Sequence, residues 1–287
     1  MKVLSLYCGA GGLDEGLKQS GIKTTLAIDI NKDACETMKL NHDCEVINGK
    51  VSDYESTFDD FDIVIGGPPC PEFSRANKNR TFNSCEVDLF WAIVDRIKPK
   101  YYLMENVQDV IRVVNRSNYL INASDYGVPQ DRLRRIFTNL PLPRSTNKKS
   151  LIDVLGHTGF DCLTDFAFPN RNQKCPSRNM NQLSMTLTTM KHFYLTSVPI
   201  YTRKYLPKEK HVWLNDTKTG LTNGEKCREI THKERALIQG FPDDYKFIGN
   251  DASVRKQIGN AVPPAISKAF FSNIIMTITS LNKGNKK

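Results

Sequence analysis

Val3-Leu4-Ser5-Leu6-Tyr7-Cys8-Gly9-Ala10-Gly11-Gly12 opens the chain as an apolar strand running into a glycine turn, and Leu13 to Ser20 follows with the spacing of an amphipathic helix. A strand, a glycine turn and a helix start make a nucleotide-type pocket, because glycines let a ligand press against the main chain at the helix N-terminus. The next apolar run, Thr24-Thr25-Leu26-Ala27-Ile28, ends in Asp29. That carboxylate falls where the ribose hydroxyls of an adenosine would lie. A dinucleotide and S-adenosylmethionine both present an adenosine, and the absence of G-x-G-x-x-G favours the latter.

Moving outward, Asp33 to Asn41 reads as a helix, and Val46-Ile47-Asn48-Gly49-Lys50 leads back toward the sheet. Phe61-Asp62-Ile63-Val64-Ile65 then reads as a buried strand, followed by Gly66-Gly67-Pro68-Pro69-Cys70-Pro71-Glu72-Phe73-Ser74. Cys70 therefore stands at a strand's C-terminal end, where open α/β sheets place their chemistry, and prolines on both sides restrict the direction of the thiol. A Pro-rich turn with a small buried thiol is the plainer reading of the same residues. The polar, basic run Arg75 to Cys85 could close over a nucleic-acid strand or be simply solvated.

A helix over Glu86 to Ile97 precedes Tyr101-Tyr102-Leu103-Met104, a strand that ends in Glu105-Asn106-Val107. One cysteine and one glutamate on adjacent strand ends would suit attack on an electron-poor ring. Further on, Tyr119-Leu120-Ile121-Asn122 leads to Asp125-Tyr126-Gly127-Val128-Pro129-Gln130-Asp131-Arg132-Leu133-Arg134-Arg135 and the apolar Ile136-Phe137. Alternation puts Arg132 and Arg134 on one face, able to hold phosphate or a base carbonyl together, although a basic edge strand would look the same.

From Leu140 to about Lys226 no period is sustained, and the composition turns polar and rich in Pro, Asn and Thr. This predicts a small irregular or β-rich unit. Order returns with Thr231 capping a helix through Glu234 to Gln239, stopped by Gly240-Phe241-Pro242, and then with Gln257 to Pro264 and a closing helix from Ala265 to Ile278.

With 40 Lys+Arg against 31 Asp+Glu, the net charge of +9 favours a polyanionic partner. The eight cysteines contain no C-x-x-C pair, so neither a zinc site nor a redox pair is signalled, and free cytosolic thiols are expected. No metal is expected. No run approaches the ~18 apolar residues of a membrane span, so a cytoplasmic protein is predicted. The basic end, Asn282 to Lys287, reads as a frayed terminus.

Taken in order, these segments resemble the cytosine-5 DNA methyltransferase family. The resemblance rests on Leu6 to Leu13, Gly67-Pro68-Pro69-Cys70, Glu105-Asn106-Val107, Asp125 to Gln130 with Arg132 and Arg134, Gln239-Gly240-Phe241-Pro242, and Ile258-Gly259-Asn260-Ala261-Val262-Pro263. It covers most of the chain outside 141–225. It implies an α/β fold with a doubly wound, mostly parallel, Rossmann-like sheet of the class I methyltransferase kind, and a small inserted target-recognition domain. The catalytic domain would comprise 1–140 and 226–287, and the target-recognition domain 141–225.

The resemblance further implies that Tyr7, Gly9, Ala10, Gly11 and Gly12 line S-adenosylmethionine, with Asp29 at its ribose, Ile30 against adenine, and Asn260 and Val262 near the methionine part. Cys70 would be the nucleophile that adds to C6 of a flipped-out cytosine. Glu105 would address the ring nitrogen and amino group, and Arg132 and Arg134 would steady the base and the loop over it. Double-stranded DNA is the implied partner of a monomeric enzyme, with a cognate restriction endonuclease as a possible companion.

The chain departs from the family in places. Pro71 stands where glutamine usually follows the cysteine. Gly49-Lys50 stands where an acidic residue normally accepts from the adenine amino group; lysine only donates, so either Asp53 substitutes or cofactor affinity is reduced. The connection 108–121 is short, which predicts the loss of an element near the sheet edge. The alternatives are a related enzyme acting on tRNA, whose Cys-Phe-Thr signature is not seen here, and a non-catalytic DNA-binding relative. The target sequence is not readable from 141–225.

Overall fold

The computed structural model describes residues 1–69, 85–165, 177–187, 193–196, 221–222, 225–272 and 274. Cys70, Pro71 and the basic run as far as residue 84 lie outside the described residues, as does the chain after 274.

Strands and helices alternate through the first half: β1 (Val3–Leu6), α1 (Gly12–Gln19), β2 (Leu26–Asp29), α2 (Lys32–Asn41), β3 (Glu45–Asn48), β4 (Ile63–Gly66), α3 (Cys85–Ile97), β5 (Tyr101–Asn106), β6 (Asn118–Asn122) and β7 (Leu133–Thr138). They form a seven-stranded sheet in the order β3-β2-β1-β4-β5-β7-β6. The pairs β1–β2, β2–β3, β1–β4 and β4–β5 are parallel, whereas β7 runs antiparallel to both β5 and β6. The chain reverses direction across the sheet at β1, so β1, β4 and β5 deliver their C-terminal ends to one crevice.

Burial on both faces explains why these strands read as continuous apolar runs rather than as half-polar ones. Val3, Ile63, Ile65, Leu103 and Ile136 point to one face, where α1 and the last helix, residues 264–272, supply Leu13, Leu17, Ile266, Phe270 and Phe271. Leu4, Leu6, Val64, Met104 and Phe137 point to the other, against Phe90, Trp91 and Val94 of α3. The last helix completes the sheet's first face, so the two ends of the chain share one core. Gly12 shows how closely they meet: a Cβ there would lie 2.2 Å from the carbonyl oxygen of Val262.

The short connection after β5 holds one 3-10 helix, Gln108–Arg112, and is followed by the edge strand β6. The shortening therefore falls on the connecting segment, and the edge strand keeps its full ladder with β7.

The irregular middle of the sequence contains order that no periodicity announced. After α4 (Leu151–Leu155) come β8 (Cys162–Asp165), β9 (Ser177–Asn179), β10 (Phe193–Thr196), β11 (Leu221–Thr222) and β12 (Glu225–Glu229), in a second sheet of order β11-β12-β10-β8-β9. Its core joins Leu151, Leu163, Leu187, Phe193 and Leu195 to Ile230 and to Ile238 of α5 (His232–Gln239), beyond the expected boundary at 225. Thr231 and Glu234 form the capping box that starts α5. The helix α6 (Asp251–Asn260) then leads to the last helix.

Candidate active site

Gly67, just past β4, faces β5. A Cβ at that position would lie 3.7 Å from Oε2 of Glu105 and 3.8 Å from Cγ2 of Val262. Pro68 is fixed in turn by the next residue of β5: the Asn106 side-chain amide donates to the Pro68 carbonyl at 3.1 Å, while its own oxygen accepts from Val107 N at 2.7 Å. The start of the Gly-Pro-Pro-Cys turn is thus pinned beside Glu105 by a buried hydrogen bond, with Cys70 next but one along the chain. Cys70 itself, the predicted nucleophile, lies outside the described residues.

Glu105 is buried and ion-paired, its Oε1 2.8 Å from Nε of Arg134. Antiparallel pairing of β7 with β5 brings this arginine across the sheet, since Glu105 registers with Ile136 and Arg134 lies one step of the same face away. A guanidinium anchored this way fixes the direction of the carboxylate, and its Nη1 donates to the Leu133 carbonyl at 2.7 Å.

Arg132 behaves differently from its expected partner role. It is 2% exposed, and its guanidinium donates to the carbonyls of Leu187 at 3.2 Å, Gly259 at 3.1 Å and Ala261 at 3.3 Å. Burial lowers its affinity for its proton well below the ordinary arginine range, Arg134 adds to that by repulsion, and Glu105 opposes it. The expectation that Arg132 and Arg134 jointly grip a phosphate or base is therefore corrected in one respect. Arg132 is a buried clamp on main chain, and Arg134 is the member of the pair directed at Glu105.

The clamp extends through residues that the motif reading quoted without assigning them work. Gln130 donates to Gln239 Oε1 at 2.8 Å and accepts from Leu187 N at 3.2 Å, and Gln239 donates to the carbonyl of Ala261. Alongside, Ser184 N donates to Pro129 O and Asp131 N to Ser184 O, each at 2.8 Å. The second sheet's approach segment, β7 and the turn after α6 thus meet at one buried polar knot.

At the other side of the crevice, the turn after β1 is shaped by positive φ at Tyr7 (53°), Gly9 (54°) and Gly11 (77°). Asp29, at the end of β2, accepts from Gly9 N and Asn31 N, each at 2.8 Å. Burial raises its pKa, and these two donors counteract the rise. Nothing lies within 4 Å of a Cβ built on Gly9, so the turn presents bare main chain to open space. Ile30, 66% exposed, stands apolar and uncovered beside it. An open glycine face, a carboxylate and an exposed aliphatic side chain on neighbouring strand ends fit an adenosine-bearing ligand such as S-adenosylmethionine.

Other expected ligand contacts divide. Val262 is buried at the crevice, whereas Asn260 is exposed at the end of α6. Tyr7 turns its hydroxyl to Glu86 Oε2 at 2.7 Å, tying the turn to α3. Lys50 is exposed, and Asp53, its candidate substitute, sits in the 3-10 helix Val51–Asp53 and accepts from Ser52 Oγ at 3.2 Å. Among the described residues no group of side chains could hold a metal ion, and no helix is long and apolar enough to cross a membrane.

The sequence profile of the family described as C-5 cytosine-specific DNA methylase matches residues 1–276. Type II methyltransferase M.FnuDI of Fusobacterium nucleatum is 27% identical, with 100% of this chain and 98% of that protein aligned. Type II methyltransferase M.NgoMIV of Neisseria gonorrhoeae is 29% identical over 97% of this chain and 98% of its own. Among solved structures, a prophage-encoded DNA modification methyltransferase of Escherichia coli aligns with a TM-score of 0.61 at 19% identity, covering 97% of this chain and 99% of that one. A DNMT2 variant of Spodoptera frugiperda aligns at 0.60 and 21%, covering 96% and 98%.

Proposed function

Because the chain belongs to the C-5 cytosine-specific DNA methylase family, and so methylates C5 of cytosine in DNA with S-adenosylmethionine as donor, we propose that the crevice between β1, β4 and β5 is where it does so, with Cys70 as nucleophile. The observation that carries this reading is the position of Gly67, where an added Cβ would lie 3.7 Å from Glu105, so that the chain leading to Cys70 starts beside the Glu105–Arg134 pair.

C5 of cytosine is too poor a nucleophile to accept a methyl group unaided. Addition of the Cys70 thiolate to C6 forms a C–S bond and makes C5 enamine-like, and Glu105 hydrogen-bonds the ring at N3 and the amino group, where the charge arrives. S-Adenosylmethionine supplies the electrophilic methyl group. Loss of the C5 proton to water then expels Cys70 as thiolate and restores the aromatic ring. Arg134 keeps Glu105 aimed at the base, and Arg132 holds the segments around it without touching the ring.

The donor would lie along Tyr7, Gly9, Ala10, Gly11 and Gly12, with Asp29 accepting from ribose, Ile30 packed on adenine, and Asn260 and Val262 toward the methionine end. Since the ring face of cytosine is hidden in a duplex, the base is flipped out at a cost of a few kcal/mol, offset by the pocket and by basic contacts to phosphate. Residues 141–225 read the flanking bases. The protein works as a cytoplasmic monomer, in the restriction-modification setting that the names of its relatives describe, opposite a cognate endonuclease.

Methyl transfer from labelled S-adenosylmethionine to duplex DNA, with tRNA in parallel, tests the substrate, and bisulfite sequencing of DNA from expressing cells reports the position. Covalent trapping on duplex DNA carrying 5-fluorocytosine tests the residue. Wild type is expected to form an adduct and Cys70→Ala none; an adduct persisting in Cys70→Ala removes Cys70 from its role.

A further inference from the structure

The carbonyl of Ala10 stands in the middle of the glycine turn, and its partner comes from the far end of the chain. Tyr245 donates its hydroxyl proton to Ala10 O at 2.6 Å, and the same hydroxyl lies 3.1 Å from Nε2 of His42, the residue that closes α2. A phenol has one proton. With that proton given to Ala10, the oxygen can only accept from His42, which makes Nε2 the protonated nitrogen of a neutral imidazole.

This pair fills the space behind the turn. A Cβ on Gly11 would lie 2.8 Å from the Tyr245 oxygen and 2.9 Å from His42 Nε2. The neighbouring groups of the turn are held locally: Cys8 N donates to Ile28 O at 3.1 Å, Gly9 N to Asp29 at 2.8 Å, and Gly11 N to Cys8 O at 3.0 Å. Ala10 O is the atom tied to the C-terminal part of the chain. Because the Ala10–Gly11 peptide is planar, the bond to its carbonyl and the bond from Gly11 N to Cys8 O hold the same plane from both sides, at a site where glycine alone would resist rotation little.

The segment that carries Tyr245 is itself bolted to α2. Lys246 N donates to Asn41 Oδ1 at 3.1 Å, Asn41 returns a hydrogen bond to Lys246 O at 2.7 Å, and Ile248 N donates to Thr37 Oγ1 at 2.9 Å. The Tyr245 ring packs against Phe241 and Phe247 at centroid distances of 4.6 and 5.3 Å.

We propose that Tyr245, oriented by His42, is a positioning residue for the cofactor turn, holding the Ala10 peptide so that the open Gly9 face keeps the shape that S-adenosylmethionine binds. The inference rests on residues 7–12 being the cofactor cradle. Tyr245 lies behind the turn at Gly11, while the Gly9 face is open, so its effect falls on cofactor affinity through the turn's shape.

Tyr245→Phe keeps the ring and its packing and removes only the tether. By calorimetry with S-adenosylhomocysteine and S-adenosylmethionine, the Kd of Tyr245→Phe is expected to rise roughly fivefold to tenfold, the scale of one lost hydrogen bond to a buried carbonyl. Affinity for duplex DNA without cofactor, read by fluorescence anisotropy, stays within about twofold. In steady state the KM for cofactor rises by the same factor with kcat little moved, whereas a general loss of folded protein lowers kcat instead. His42→Gln retains a donor for Tyr245 and binds cofactor like wild type, while His42→Leu weakens it as Tyr245→Phe does; this pair carries the test if Tyr245→Phe does not fold. Cofactor binding by Tyr245→Phe within twofold of wild type overturns the tether, as does equal weakening in both His42 variants. Wild type that binds no cofactor overturns the cradle reading, and the tether with it.

Discussion

Arg134 Nε and Glu105 Oε1 are 2.8 Å apart, with the two side chains 16% and 10% exposed. A charge-assisted hydrogen bond so shielded from water holds its partners in one orientation more firmly than a surface pair does. Glu105 lies beside Gly67 and Arg134 is its partner across the β5–β7 ladder, so the carboxylate is aimed by an element outside the parallel part of the sheet.

Arg134→Met is therefore expected to leave Glu105 buried and unanchored. Methyl transfer should fall on the order of 100-fold, the scale of losing one preorganised electrostatic contact in a catalytic site. Arg134→Lys keeps the charge but not the fork geometry and should recover only part of the rate. Binding of S-adenosylmethionine should stay near the wild-type value, since the cradle at β1 and β2 does not include this pair. Labelled-methyl assays and calorimetry on both variants check this; full activity in Arg134→Met would show that Glu105 needs no anchor.

Asn106 offers a separate handle on the same turn. Asn106→Asp can still accept from Val107 N but turns an acceptor toward the Pro68 carbonyl, whereas Asn106→Ala loses both contacts. Loss of the buried bond costs about 1 to 3 kcal/mol, and the turn carrying Cys70 loses its fixed starting point. The rate of adduct formation on 5-fluorocytosine DNA should drop about tenfold or more in both variants. A trapping rate equal to wild type in Asn106→Asp would mean that Pro68 is held well enough by its own ring.

How far the sequence could be read depends on where the chemistry is local. The glycine turn, Asp29 and the Glu105 strand end all follow from short patterns, because a strand that ends in a turn sends its next residues to the sheet's C-terminal edge. The partners were not legible in the same way. Arg132 and Arg134 share a face on paper, yet Arg132 finds the carbonyls of Gly259 and Ala261, more than a hundred positions away, and only the fold decides that. The second sheet agrees with the β-rich alternative for this region, but its strands could not be placed one by one because they are short and separated by long polar stretches. Its core also borrows Ile230 and Ile238 from a region that reads as a return to the first domain. Tyr245 carries no motif signal at all beyond its spacing from Phe241 and Phe247.

The buried knot of Gln130, Gln239 and Arg132 makes a stability prediction. Gln239→Leu removes the acceptor of the Gln130 amide and a donor to Ala261 O in a site where neither can turn to water. Ala261 O keeps its bond from Arg132, so a loss of about 1 to 3 kcal/mol is expected from stranding the one buried Gln130 amide, read as a lower urea midpoint. Gln130→Leu with Gln239→Leu should cost clearly less than the sum of the single changes, because the second substitution removes a group that the first had already stranded. Strict additivity in this double-mutant cycle would indicate that the glutamines act independently.

His42 supplies the pH prediction. Burial, followed by the nearby positive charge of Lys18, lowers its pKa to about 4, with Glu15 Oε2 at 4.0 Å and the Tyr245 hydroxyl as the other polar groups facing the ring. An unfolded histidine titrates near 6.5, so between these values the unfolded chain holds a proton that the folded one does not. The stability this contributes is complete above about 6.5 and is lost as the pH falls toward 4, by on the order of 2 to 3 kcal/mol in all. Asp14 acts in the opposite sense. Burial raises its pKa to about 6 despite hydrogen bonds from Thr24 and Ser5, so its contribution is lost as the pH rises from about 4 to 6. The wild-type curve therefore mixes two opposed slopes, and the difference between wild type and His42→Gln isolates the histidine. That difference should favour wild type most at pH 7 and shrink steadily to pH 4.5. Urea midpoints for both proteins across this range decide the matter, and a difference that does not change with pH would mean that the imidazole is protonated alike in the folded and unfolded chains.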